Sequence, residues 1–375
     1  MSIDSASLQV GIGLIGAGFM GRCHANAFGS VAGLFDLPAR PVKRILADAT
    51  DEMAKANAMA LGFEQATSDW QTLIANRDVD IVAITAPNVL HERMSLAAIE
   101  AGKTVYCEKP LSTTAASALK MTGAAEAAGV VTLVGFNFLR NPMIRLARQI
   151  IASGEIGDIT GFRGRHAENY MASPHVPHSF RTDPQGGGAL ADIGSHIISM
   201  ARYLLGPIIQ VQADCLTIHA NRPIKPSSAE LAPVRVDDMT HALVTFQSGA
   251  KGSLEANWAA TARTMDLSWE ITGTKGAIAF SQENMNELLL YSGEQGRSGY
   301  KRIESGPAHS PYNRFCPAPG HHLGFNDLKV IEVAELLAAH ADGEPCGPDF
   351  REAYEVQKVV EAMQTSNVER QWVSI

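Results

Sequence analysis

Several side-chain groupings in this chain have the types and spacing that hydride and proton transfer require. Gly16-Ala17-Gly18-Phe19-Met20-Gly21 follows a short apolar run at 10–15 and opens a helix-like stretch. In such a turn the first glycine makes the bend and the second lets a pyrophosphate approach the backbone. The third lets helix and strand pack closely, with the phosphates over the helix N-terminus. The strand–turn–helix context separates this from a plain glycine turn and points to dinucleotide binding. Asp48 ends the next strand pattern, where an acid can hydrogen-bond a ribose 2′-hydroxyl and repel a 2′-phosphate. It lies further from the glycines than the usual ~20 residues, and an inserted loop at 34–41 accounts for the distance. No Arg or Lys follows in Ala49-Thr50-Asp51, so NAD is expected over NADP. A strand-end turn aspartate is the plainer alternative.

Cys107-Glu108-Lys109-Pro110 follows another strand pattern, at the sheet end where doubly wound folds place ligands. A lysine beside a charged nicotinamide can assist proton removal and stabilise an alkoxide. Taken alone, it reads more simply as a solvated surface charge. Asp192-Ile193-Gly194-Ser195-His196 sets an acid and a histidine at i and i+4, on one face of a helix. Histidine is the usual base near neutral pH, and the aspartate can orient it or bind hydroxyls. The same pair also reads as a capping acid and a core histidine. Gly186-Gly187-Gly188, just before, would admit close approach of a ligand or of the cofactor domain.

The elements that must position these groups follow two grammars. Strand patterns at 10–15, 42–47, 80–85, 104–107 and 130–135 alternate with helical patterns at 22–28, 52–61, 90–101 and 112–128. Parallel neighbours need a crossover helix, so residues 1–137 are expected to form a doubly wound α/β domain. Helical patterns then fall at 142–152 and 191–205, followed by hairpins at 240–246/251–257 and 267–272/277–280. Residues 138–375 thus read as an α+β domain, ending in helical patterns at 326–340 and 349–364 that have room to pack back on the first domain. Leu328, Ile331 and Leu336 in the first of these read as core. Polar stretches at 219–235 and 292–324 read as long loops, which in compact domains are functional or disordered.

Composition excludes several classes. The chain has 375 residues, 46% hydrophobic and 19% charged, enough to bury two cores and unlike a disordered chain. Five scattered cysteines without a CxxC fit neither a zinc ribbon nor a disulfide scaffold, and no metal is expected. His321-His322 lacks the supporting acids or cysteines of a metal site. Net charge is −8 without basic clusters, so nucleic acid is not an expected partner. No run approaches ~18 apolar residues, so no membrane span is expected. Met1-Ser2-Ile3-Asp4 lacks a leader pattern, and a cytoplasmic location is expected.

Taken in order, Gly16 to Gly21, Ala86-Pro87-Asn88-x-x-His91, Ala101-Gly102-Lys103, Glu108-Lys109-Pro110 and Gly186-Gly187-Gly188-x-x-x-Asp192-Ile193-Gly194-x-His196 resemble the Gfo/Idh/MocA oxidoreductase family. The likeness covers nearly the whole chain, and the Glu-Lys-Pro and Asp-x-x-x-His elements are its specific part. It implies an NAD-dependent dehydrogenase with a Rossmann domain and a second domain built on a large, mainly antiparallel open sheet. It also implies a homo-oligomer, a tetramer or a dimer, packed through that sheet. Lys109, Asp192 and His196 would form the catalytic group. Gly16, Gly18, Phe19, Met20, Gly21, Asp48, Thr85, Pro87, Asn88, His91, Glu108, Lys109 and Asn137 would contact the cofactor. One departure is Ser199, where many members carry Asp.

Phe136-Asn137-Phe138-x-Arg140-x-Pro142, Ser179-Phe180-Arg181 and Lys329-Val330-Ile331-Glu332 are most similar to the inositol and sugar dehydrogenases of the family. In such relatives the late loop borders the substrate pocket. Arg181 and His321, then Asn169 and Tyr170, are therefore candidate substrate contacts beside Lys109, Asp192 and His196. The expected substrate is a cyclic polyol or sugar, inositol-type or an aldose, oxidised at a secondary or anomeric hydroxyl. An anhydrosugar is an alternative, as is a dinucleotide-binding sensor without turnover. The intact Lys109, Asp192 and His196 set speaks against the sensor, which needs no base.

Overall fold

The computed structural model describes residues 8–293 and 298–375. Met1-Ser2-Ile3-Asp4 and part of the 292–324 stretch lie outside the described residues. The chain divides into two compact units. One comprises the chain up to Ser112 with Ala116–Arg140 and Gly324–Tyr354; the other comprises Thr113–Ala115, Asn141–Leu323 and Glu355–Ile375.

The first part of the chain runs β1 (Gln9–Ile15), α1 (Phe19–Ser30), β2 (Arg40–Ala47), α2 (Asp51–Leu61), β3 (Gln65–Thr67), α3 (Trp70–Ala75), β4 (Ile81–Ile84), α4 (His91–Glu100), β5 (Thr104–Cys107), α5 (Ala115–Ala128) and β6 (Thr132–Val134). Its six strands are all parallel, in the order β3-β2-β1-β4-β5-β6. Every residue of β4 is fully buried, as covering both faces of a parallel sheet demands. The order reverses between β1 and β4, and ligands of such sheets bind at the carboxyl ends of the strands there. Two elements go beyond the sequence reading. β3 is only three residues long, Gln65-Ala66-Thr67, and shows no apolar run. α3 has six residues and owes its start to Asp69, whose carboxylate accepts from the Gln71 and Thr72 N–H groups.

The chain continues with α6 (Pro142–Ala152), β7 (Ile159–Ala167), α7 (Ser195–Leu205), β8 (Ile208–Leu216), β9 (Asn221–Pro223), β10 (Leu231–Pro233), β11 (Met239–Phe246), β12 (Lys251–Asn257), β13 (Asp266–Gly273), β14 (Gly276–Ser281), β15 (Glu287–Ser292) and β16 (Gly299–Glu304). It ends with α8 (Phe325–Asp342), which belongs to the first unit, α9 (Phe350–Glu369) and β17 (Val373–Ser374). The second unit is built on a nine-stranded sheet ordered β16-β15-β14-β13-β7-β12-β11-β8-β17, antiparallel except where β7 meets β12.

Three expectations change here. The 219–235 stretch contains a two-stranded ribbon, β9 against β10. The 292–324 stretch begins inside a hairpin, because β16 pairs with β15. β16 is an exposed edge strand of mostly polar residues, so its hydropathy hides it. β7, with Gly161 and Gly164 among arginines, likewise shows no apolar run. Leu328, Ile331 and Leu336 are buried as expected. Among the described residues no helix is long and apolar enough to cross a membrane, and no acid, histidine and cysteine cluster could hold a metal. All five cysteines are unpaired.

Candidate active site

In the first unit the glycine turn joins β1 to α1. Gly16 has φ +91°, and its carbonyl accepts a hydrogen bond from Thr85 Oγ1 at 2.7 Å. A Cβ on Gly21 would lie 2.2 Å from that same oxygen, so only glycine lets α1 pack onto the turn. Gly18 is exposed, and a Cβ there would meet nothing within 4 Å. It starts α1 without a side-chain cap, and the first turn carries no acid. The leading N–H groups and the helix dipole are therefore presented to an anion, and the pyrophosphate of NAD fits this cradle. Two variants separate the glycine roles. Gly21→Ala should weaken NADH binding by about 10–100-fold and lower the melting temperature, because the helix must move. Gly18→Ala, at φ −66°, should weaken NADH binding while leaving melting unchanged. Fluorescence titration with NADH and thermal denaturation read both.

Asp48, just past β2, accepts from Ala49 N and from Asn57 Nδ2, both at 2.8 Å. These bonds hold its carboxylate at the carboxyl end of β2, where an adenosine ribose would lie. Phe19 is exposed, with its ring 6.0 Å from that of Phe325. Met20 and Asn88 are half-buried and Pro87 is exposed. Asn137 is buried, and its Nδ2 has no partner among the described residues, which leaves a donor for a bound group.

Two residues expected to touch the cofactor are buried against protein partners. His91 is fully buried, with Nδ1 2.9 Å from Pro110 O and Nε2 2.8 Å from Ala86 O. Burial outweighs these carbonyls and lowers its pKa, so a neutral ring braces the Lys109-Pro110 loop from within. Glu108 is buried as well. Its Oε1 accepts from Lys329 Nζ at 3.0 Å and lies 2.8 Å from His24 Nε2. Lys329 Nζ also donates to Tyr106 OH at 2.9 Å and to Glu332 Oε2 at 2.7 Å, and Tyr106 donates to Glu332. Burial alone would raise the Glu108 carboxyl, but Lys329 and then His24 hold it well below the usual carboxylate range. Burial, followed by the Lys329 charge, lowers the His24 pKa, so a neutral ring donates to Glu108. The network thus fixes the residue preceding Lys109, which is itself half-buried. Sequence reading missed it, although Lys329 and Glu332 are charges set at i and i+3 among the apolar Leu328, Val330, Ile331 and Val333.

In the second unit Asp192 does not share an α-helical face with His196 as their spacing predicts. Leu190–Gly194 is a π-helical turn, and α7 begins only at Ser195. Such turns recur at functional sites, because they re-aim side chains at the cost of regular pairing. Asp192 Oδ2 accepts from Tyr170 OH and from Arg181 Nε, both at 2.9 Å. The Arg181 guanidinium lies 4.6 Å from the centre of the Phe180 ring and 5.4 Å from that of Tyr170. Burial and then the Asp192 charge push the Tyr170 phenol well up, so it stays a donor. Ala189 and Ile193, on either side of Asp192, sit in a core cluster with Met171, Ala256 and Trp258.

The glycine triplet serves its own chain. Gly187 N donates to Asp183 O at 2.9 Å, and Gly188 N to Arg181 O at 2.8 Å. A Cβ on Gly187 would lie 2.2 Å from Arg181 O, so the tight wrap that carries Arg181 to Asp192 requires glycine. His196 is buried, with its ring centre 5.5 Å from that of His166. Ser199 is buried, and its Oγ has no partner among the described residues. His321 is exposed, with Nδ1 3.1 Å from Pro319 O of its own loop, and Asn169 is exposed.

Asp237 was not legible as part of this region. Its Oδ2 accepts from Leu190 N at 2.8 Å, at the start of the π turn, and from Thr240 Oγ1 at 2.9 Å. Burial pushes its carboxyl up to about 6, against the lowering effect of those donors. A folded-state pKa above the unfolded one binds the extra proton in the native state, so stability falls as pH rises from about 4 to about 6. Asp237→Asn should therefore gain on the wild type by roughly 2–3 kcal/mol between pH 4 and pH 7. Urea denaturation of both proteins across that range measures it.

Comparison with known proteins identifies the family. The NAD-binding Rossmann-fold description of an oxidoreductase family matches residues 10–136, and the GFO/IDH/MocA C-terminal domain matches residues 144–279. The chain belongs to the GFO/IDH/MocA oxidoreductase family. It is an NAD-dependent oxidoreductase. Levoglucosan dehydrogenase of Pseudarthrobacter phenanthrenivorans is 36% identical over 383 residues, spanning 98% of this chain and 98% of that protein. A structure of levoglucosan dehydrogenase in complex with NADH and levoglucosan superposes with a TM-score of 0.94 at 37% identity, covering 98% of this chain and 99% of the other. Inositol 2-dehydrogenase of Rhizobium meliloti is 26% identical over 368 residues, 98% of this chain and 100% of that protein.

Proposed function

We propose that this family member oxidises a ring hydroxyl of a sugar, an anhydrosugar or a cyclic polyol. The observation that carries this reading is the Tyr170–Asp192–Arg181 cluster on the π turn that leads into His196. A fixed carboxylate among hydroxyl, guanidinium and aromatic groups is the mixture that a hydroxylated ring recruits. The full-length likeness to levoglucosan dehydrogenase supports the same class.

Bound NAD supplies the hydride acceptor at nicotinamide C4. His196 takes the hydroxyl proton as base. Lys109 hydrogen-bonds the same oxygen and stabilises its developing negative charge. Asp192, held by Tyr170 and Arg181, presents a fixed charge to the neighbouring hydroxyls. Gly16, Gly18 and Gly21 seat the pyrophosphate, and Asp48 holds the ribose and disfavours a 2′-phosphate. We also propose a division of labour in which residues 1–137 bind cofactor and 138–375 bind substrate. A cytoplasmic location is proposed too, consistent with five unpaired cysteines. Assembly is proposed as a homodimer or homotetramer through the nine-stranded sheet, where Leu216 and Leu243 are exposed on the paired strands β8 and β11.

A spectrophotometric screen of levoglucosan, inositols and aldoses with NAD and NADP in parallel tests the function. NADH should form with at least one ring alcohol, and faster than NADPH. Tight NADH binding with no turnover across the panel would replace the dehydrogenase with a sensor.

A further inference from the structure

His166, near the end of β7, belongs to none of the groups assigned above. It is 1% exposed, yet both of its ring nitrogens face acceptors. Nδ1 lies 2.9 Å from the Ile193 carbonyl oxygen, and Nε2 lies 2.9 Å from Glu168 Oε1. A neutral imidazole has one N–H and can satisfy one of these acceptors; an imidazolium satisfies both. His91 presents a similar geometry, but its two partners are uncharged carbonyls. One partner of His166 is a carboxylate, which offsets the cost of a buried cation.

The neighbouring strands place apolar residues beside the ring. The register neighbours of His166 are Ala256 on β12 and Leu267 on β13. Arg165 points to the opposite face of the strand and pairs with Asp266 at 2.6 Å. Titratable groups beside the ring include Glu168 and, from the start of α7, His196, whose ring centre is 5.5 Å away. Beyond them, Tyr170 feels the charges of Asp192, Arg181 and Glu168 together. The bonded carbonyl belongs to Ile193, between Asp192 and His196.

We propose that His166, charged and paired with Glu168, is a positioning residue for His196. Its positive ring disfavours a second positive charge and so keeps His196 in the neutral, proton-accepting form. Its Nδ1–H anchors the Ile193 peptide and with it the spacing from the π turn to α7. Glu168 supplies the charge that keeps His166 protonated. This inference rests on the role given above to His196 as base.

The test is histidine-ring nitrogen NMR on the full-length protein labelled with 15N-histidine, followed across pH. His166→Gln assigns the His166 signals, and His196→Ala assigns those of His196. At pH 7 both His166 nitrogens should carry hydrogen, and in Glu168→Gln, whose amide keeps the shape of the pair, the ring should become singly protonated. The His196 midpoint should rise by about half a pH unit or more in His166→Gln, since a like charge roughly 6 Å away is lost. The acid limb of kcat/KM against pH should move up with it. A singly protonated His166 at pH 7, or an unmoved His196 midpoint in His166→Gln, overturns the proposal. A fall in kcat without a shift of the acid limb does so as well, because it would mark a merely structural residue. None of the NMR outcomes needs turnover. A failure of the sugar-oxidation reading would appear instead as no turnover of the wild type across the sugar panel, and a failure of the base role as full activity in His196→Ala.

Discussion

Alanine at His196 or at Lys109 should each lower kcat/KM for sugar oxidation by about 10²–10⁴-fold. In the proposed mechanism the two residues act on one oxygen, His196 by taking its proton and Lys109 by stabilising the charge that remains. The double variant should then cost little more than the worse single one, since residues that work as a unit are not additive. NADH affinity of His196→Ala should stay within a factor of about two, because its assigned role is toward the substrate oxygen. Initial rates with NAD and the best sugar of the screen measure the first effect, and fluorescence titration measures the second. Full turnover in both single variants would remove the mechanism.

The second large effect concerns stability. Lys329 is fully buried, and its ammonium reaches Glu108, Glu332 and Tyr106. Lys329→Met fills much of the same space but takes their shared cation from two buried carboxylates, leaving Glu332 only Arg140, 3.9 Å away. Breaking a buried pair in this way costs about 3–5 kcal/mol. The sign of its pH dependence follows from the shifts. Glu108 has a depressed carboxyl, so the pairing stabilises the fold above the ordinary carboxylate range and is lost as pH falls through its folded value. Lys329 has a raised ammonium, so its contribution is present below the ordinary lysine range and fades only at more alkaline pH. Neutral pH therefore carries the full loss. In the variant, burial raises the orphaned carboxyls, and part of the deficit should return at pH 5. Urea denaturation at pH 5 and pH 8 tests this. An equal deficit at both values would mean that packing, not charge, holds Glu108. Activity should fall too, because Glu108 anchors the residue next to Lys109.

Much of this protein was legible before its tertiary structure. The glycine turn is local, since close packing of helix on strand and an open anion cradle each demand glycine at a set spacing. The parallel sheet of the first unit follows from apolar runs alternating with helical patterns. The hairpins β11–β12 and β13–β14 follow from turn residues between alternating strands. Lys109, Asp192 and His196 were singled out by residue type and motif, and the resemblance tied them to one chemistry.

Other features exist only in three dimensions. β3, β7 and β16 are too short, too rich in glycine or too exposed to carry a hydrophobic signal, and they are strands because neighbours pair with them. A π turn and an α-helix share the same apolar spacing over five residues, so the seat of Asp192 depends on what packs around Ala189 and Ile193. His91 and Glu108 stand in motifs that suggest ligand contact, yet burial turns both inward as supports for the Lys109 loop. The partners of Glu108, Asp237 and His166 lie 221, 47 and 27 residues away at Lys329, Leu190 and Ile193. Sequence alone determined which groups can do the chemistry, because that depends on side-chain type and short spacing. Tertiary structure decided which supporting groups, such as His24, His91 and Glu108, are neutral, ionised or held fixed, because desolvation and long-range partners set protonation and position.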